Sequence, residues 1–165
     1  MKKVFKHRKQ QGLEQGSFYF FKLHKEIKAP EGTPYLVFIG PYNFRHSVPA
    51  EFYTSYNLEF GKTYLCKVDK INCTGHIFIE PPHPYYRENE SYLFRYVKKI
   101  RIKHKSGWEY NYYQFKGDNE YLALMDADKN ELPEHLKSGF YTFVVTKISK
   151  ATVYIEFIRK KVQSN

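Results

Sequence analysis

Apolar and polar residues alternate with a period of two along much of this chain, the period of a strand with one buried face. The clearest case is residues 61–81, GKTYLCKVDKINCTGHIFIEP. Leu65, Lys67, Asp69 and Ile71 alternate with Tyr64, Cys66, Val68 and Lys70. Asn72-Cys73-Thr74-Gly75 supplies a turn, and residues 76–80 return as a second strand. The plan recurs at residues 138–157, where Val68-Asp69-Lys70-Ile71-Asn72 is matched by Val145-Thr146-Lys147-Ile148-Ser149, and Phe78-Ile79-Glu80 by Tyr154-Ile155-Glu156. Upstream, residues 19–27, YFFKLHKEI, align without gaps to residues 92–100, YLFRYVKKI. Tyr35-Leu36 opens a run ending at Val48-Pro49, and Tyr121-Leu122 opens one ending at Leu132-Pro133. Three blocks thus recur in one order, at separations of 73, then 86 falling to 84, then 77 falling to 76 positions. That order implies two copies of one module.

In the first copy the pattern predicts strands at residues 17–27, 35–39 and 44–48, a helical turn near residues 51–57, and the closing pair at 61–80. In the second it predicts strands at residues 92–103, 108–115 and 121–125, a helical turn at about 134–137, and a closing pair at 140–158. The strand at 108–115 is taken as an insertion that the first copy lacks. Helical periodicity is otherwise nearly absent. Three strands, a short helix and two strands is the order of the OB-fold, a small Greek-key barrel. The expected fold class is therefore all-β: two tandem small OB-like Greek-key β-barrels, each with at most one short helix. The expected boundaries are a flexible basic arm at 1–14, a first module at 15–88 and a second at 89–165, with Pro81-Pro82-His83-Pro84-Tyr85-Tyr86 as a stiff joint.

Composition adds charge and rings to this picture. The chain has 16 Tyr and 14 Phe, residues that pack well on pleated surfaces, so the aromatics support the all-β expectation. The formal charge is +10, with +5 in residues 1–88 and +5 in 89–165, so the excess is not confined to a tail. A basic surface of this kind steers polyanions, nucleic acid above all. Two cysteines exclude a disulfide framework, and the reading is reduced thiols in a cytoplasmic protein. No run approaches the 18 apolar residues that span a membrane, and no apolar segment follows the basic N-terminus as in a secretory signal.

The phrase G-x-x-Y-x-x-x-V-x-K-I-x-x-x-G-x-I-F-I-E at residues 61–80 resembles the strand pair of S1-like and related OB-fold RNA-binding domains. The two-copy plan with its HPYY joint is similar to tandem OB-like proteins of bacteria. The resemblance implies nucleic-acid binding on the second and third strands and their flanking loops. In the first copy that surface points to Lys28, Tyr35, Tyr42, Phe44, Arg45, His46 and His76.

In the second copy the residues themselves are informative. Residues 95–105 hold six Lys or Arg and no acid. Regular alternation puts Arg95, Lys99, Arg101 and Lys103 on one face, with Lys105 beyond them, and Phe94, Tyr96, Lys98, Ile100 and Ile102 on the other. Trp108, Tyr110 and Tyr112 share a face of the next strand, and Tyr113 and Phe115 share its opposite. Cations beside rings suit single-stranded nucleic acid, since Lys and Arg neutralise phosphates and rings stack bases. The same residues would equally serve as packing and as a soluble sheet edge. The expectation is a non-enzymatic protein that binds single-stranded nucleic acid, RNA favoured over DNA, with little sequence preference. The alternative is a protein–protein interaction or accessory module using the same aromatic surface.

Cofactor and metal chemistry find no motif. Cys66, Cys73, His76 and His83 are spaced C-x6-C-x2-H-x6-H, without the close pairs of structural zinc sites. Asp126, Asp128 and Asn130 begin like a calcium loop, but Glu131 and Lys137 replace the required Gly and Glu. No Gly-rich phosphate loop, G-x-S-x-G or H-E-x-x-H is present, so neither catalytic nor metal residues are assigned.

Overall fold

The structure, a computed structural model, describes residues 12–158. Most of the basic arm expected at 1–14 lies outside the described residues. The chain divides into two compact units between Pro82 and His83.

The first unit runs through β1 (Phe18–Lys28), β2 (Pro34–Ile39), β3 (Arg45–Pro49), β4 (Thr63–Ile71) and β5 (Ile77–Glu80). Its sheet order is β3-β2-β1-β4-β5. Three-residue and four-residue 3₁₀ turns occupy Pro41–Asn43 and Ala50–Tyr53, one more than the single short helix expected. The core is Phe21, Leu23, Phe38, Cys66, Val68 and Ile79. The alternation that put Cys66 and Val68 on one face of β4 is what buries them.

The second unit runs through β6 (Ser91–Lys103), β7 (Glu109–Gly117), β8 (Leu122–Asp126), β9 (Phe140–Ser149) and β10 (Thr152–Phe157), with a 3₁₀ turn at Glu134–Lys137. These five strands close into a barrel, β10-β8-β7-β6-β9 with β9 paired to β10. The closing contact is the parallel pairing of β8 with β10. A first strand between the second and fourth, with third and fifth parallel, is the strand order of an OB-like Greek-key barrel. The first unit has the same order without a hydrogen-bonded ladder between β3 and β5.

The duplication extends to single hydrogen bonds. Phe20 opposes Leu65 as Leu93 opposes Thr142, and Phe21 opposes Tyr64 as Phe94 opposes Tyr141. β1 carries a bulge at His24 and β6 carries one at the aligned Val97. β4 is bulged at Asp69 and β9 at the aligned Thr146. The Gln15 side chain accepts from Ile71 N (3.3 Å), and the Glu88 side chain accepts from Ile148 N (2.8 Å). Tyr19 Oη accepts from Glu14 N as Tyr92 Oη accepts from Arg87 N.

Three expectations change. The repeat begins before residue 15 and residue 89. Leu13 is buried in the first unit, so residues 12–14 pack rather than join an arm. Residues 83–88, expected to end the first module, belong with the second: Tyr86 is buried in its core and donates to Asn119 Oδ1 (2.7 Å). Finally, the strand at 108–115 is no insertion. Ile27 opposes Tyr35 as Ile100 opposes Tyr112, so β7 is the counterpart of β2, and β8 that of β3. The extra length is two further pairs, Ile102 with Tyr110 and Lys103 with Glu109, at the tip of the β6–β7 hairpin. Tyr121 resembles Tyr35 in sequence only because Tyr-Leu occurs at both places; register, not composition, fixes the correspondence.

Candidate nucleic-acid interface

The bulge at Val97 rearranges the basic stripe. A bulge places two residues against one and shifts the phase of alternation. Before it, Arg95 opposes Lys116 and Tyr96 opposes the buried Phe115. After it, Lys98 opposes Gln114, and Lys99 opposes Tyr113, which packs against the core. Paired residues share a face. Lys99, Arg101 and Lys103 therefore lie on the face of Tyr96 and Tyr113, opposite to Arg95. The ammonium of Lys99 sits 5.7 Å from the centre of the Tyr113 ring. Arg101 is drawn to Glu109 at 3.3 Å. The expected continuous stripe is thus split, and Lys98, expected on the core face, stands outside with Arg95.

What the split leaves on the outer face is a cross-strand row: Lys98, Gln114, Leu124, Tyr154 and Lys147, each opposite the next on adjacent strands. A second row beside it holds Ile100, Tyr112 and Asp126. The rings of Tyr112 and Tyr154 approach to 6.2 Å between centres. They line a groove of about 330 Å³ together with Lys129, Asn130 and Glu156. Trp108, at 71% exposure, and Tyr110 are exposed on the hairpin, as is Lys105 at its tip.

The first unit holds the aligned residues in two pieces, since β3 and β5 share no ladder, and Val37 among them is buried. Lys25, Val37 and Ser47 oppose one another across β1, β2 and β3, and Lys70 opposes Phe78 across β4 and β5. Tyr35 is the equivalent of Tyr112, and Phe78 the equivalent of Tyr154. Phe78 is exposed with the His76 ring edge-on at 4.7 Å. Lys28 and Arg45 are exposed and Phe44 is half-buried. Tyr42 is 70% exposed, held at φ 60° in the turn after β2.

His46 does not belong to this surface. It is 4% exposed and lies edge-on to Phe21 at 5.3 Å, inside the sheet. It opposes the fully buried Phe38, so alternation directs it to the core. Burial holds its imidazole below the usual range, the charge of His76 lowers it further, and a hydrogen bond with the Ile77 backbone opposes both. Among the described residues its Nε2 finds no hydrogen-bond partner.

Six residues of the two rows were missed or misplaced in the sequence: Lys25, Lys70, Phe78, Lys98, Lys147 and Tyr154. A signal for two of them existed. An aromatic residue precedes Ile-Glu at the same place in both repeats, as Phe78 and Tyr154.

Among the described residues no cluster of three or more His, Cys, Asp or Glu is placed to hold a metal ion, and no helix is long and apolar enough to cross a membrane. Comparison with family models, curated proteins and solved structures gives no match.

Proposed function

We propose that this chain binds single-stranded nucleic acid, RNA in preference to DNA, without acting as an enzyme. The reading rests on one observation: both units set an exposed lysine of the fourth strand against an exposed or half-buried ring of the fifth, Lys70 against Phe78 and Lys147 against Tyr154, and repeat a second exposed lysine, Lys25 or Lys98, at the same place of the first strand. A solvated sheet face needs no such recurrence. Lysines about one strand-width outside a ring would neutralise phosphates while the ring stacks a base, at about 1–3 kcal/mol per base. The hydroxyls of Tyr112 and Tyr154 could pair with a ribose 2′-hydroxyl, the group that separates RNA from DNA. A cytoplasmic setting is part of the proposal, supported by the free thiols of the buried Cys66 and the exposed Cys73.

The test is anisotropy of labelled single-stranded RNA and DNA 12-mers, titrated at several salt concentrations. Affinity that falls steeply with salt, and about 10-fold on Tyr154→Ala with little change in salt slope, supports the proposal. Absence of binding at low salt by folded protein would sink it.

A second reading has its own observation. Phe18, Phe20 and Leu65 are 56%, 68% and 46% exposed, and Phe20 opposes Leu65 across β1 and β4. A contiguous apolar face of this kind suits a protein partner. It lies on the first unit at positions apart from the row.

A further inference from the structure

The two units differ at the groove. In the first, β3 ends at Pro49 and its 3₁₀ turn begins at once with Ala50. In the second, seven residues separate Asp126, the end of β8, from Glu134, the start of the turn. This insertion, 127–133, brings Lys129 and Asn130 to the rim of the groove that Tyr112, Leu124 and Tyr154 floor. Asp126 replaces Pro49 at the register position beside the tyrosine. The insertion folds back on Asp126: Oδ1 accepts from Asp128 N (2.9 Å) and Lys129 N (3.2 Å), and Asn130 Nδ2 donates to the Asp126 carbonyl (3.0 Å). Lys129 Nζ lies 3.4 Å from Oδ2. A carboxylate accepts about four hydrogen bonds, so this one has capacity left over.

Resting on the proposed function, we infer that the groove of the second unit is a single-nucleotide subsite that selects a base carrying an exocyclic amino group. At about 330 Å³ it sits at the small end of ligand pockets, roughly 300–1,000 Å³. The ring of Tyr154 or Tyr112 takes the base face. Lys147, opposite Tyr154 and in the lining of the same groove as Asp126 and Glu156, takes the phosphate. Asp126 then faces the edge of the base. A carboxylate accepts from the amino group of cytosine or adenine, and repels the O4 acceptor that uracil has in the place of the cytosine amino group. The first unit, with proline at this position and no insertion, has no such group and binds without preference.

The experiment titrates the full chain with labelled rA12, rC12 and rU12 at one low salt concentration. Wild type is expected to bind rC12 and rA12 at least 5-fold more tightly than rU12. Asp126→Asn keeps a side-chain acceptor for the turn and offers the base a donor; it should bring the three within about 2-fold, at an unchanged urea midpoint. Lys129→Gln, at a largely exposed side chain, removes the ammonium beside the carboxylate and should widen the preference. Equal binding of the three by wild type, or a preference that both substitutions leave unchanged, overturns the inference while the nucleic-acid reading stands. No binding of any 12-mer overturns both.

Discussion

His83 shows how a side chain that looked like a metal ligand or a joint residue serves the core. Its Nδ1 accepts from Tyr85 N and Tyr86 N, each at 3.1 Å, and its ring lies 5.0 Å from that of Tyr86. Burial, helped by the charge of Arg87, lowers its pKa to about 4. The folded value lies below the unfolded value of about 6.5, so the folded unit favours the neutral ring. The contribution is complete above pH 6.5 and is lost as pH falls through about 4, for a total of about 3 kcal/mol. Urea midpoints between pH 7 and 4 should fall accordingly, and His83→Asn should flatten the fall; an equal slope in both proteins would contradict it. Gly117 answers to the same core. A β-carbon there would collide with the Tyr86 hydroxyl, and its aligned partner Gly40 abuts the Phe21 ring. Overpacking of this kind costs about 1–3 kcal/mol, so Gly117→Ala and Gly40→Ala should both lower the melting temperature. Neither glycine has a positive φ, and nothing in the local sequence marked them.

At the scale of elements, alternation in the sequence identified the strands, because burial on one face imposes a period of two. It grouped Cys66 with Val68 and Tyr113 with Phe115 on one face of their strands and Phe94 on the core face of its own, and the structure buries Cys66, Val68, Phe94 and Phe115. It failed from residue 97 onward, because a bulge has no compositional mark and turns the remainder of the strand over. Lys98 and Lys99 exchanged faces for that reason alone. At its tip the β6–β7 hairpin exceeds its counterpart by two pairs, and all four residues are exposed. Deleting Ile102, Lys103, Glu109 and Tyr110 preserves the facing of every inner pair. The shortened protein should keep its denaturant midpoint within about 0.5 kcal/mol, the ordinary range for surface changes. Its nucleic-acid affinity should drop and its salt slope decline by about one, for the one lysine removed. Circular dichroism and the anisotropy titration read the two effects separately.

At the scale of the molecule, the division between Pro82 and His83 has a sharp consequence. A fragment of residues 83–165 retains Tyr86 and the Glu88 bond to Ile148. A fragment of residues 89–165 loses both. Loss of a large buried ring costs about 3–5 kcal/mol, much of the stability of a unit this size. The longer fragment should show dispersed amide resonances and cooperative melting, and the shorter should not. If both fold equally well, residues 83–88 are no part of the unit.

The sequence by itself determined the all-β class, the duplication and most strand positions. These follow from side-chain period and composition, which are local and survive in any register. Only the tertiary structure decided where the repeats begin, which strands correspond and which lysines stand beside which rings. Those depend on pairing between residues far apart in the chain, and one bulged residue at Val97 is enough to change the answer.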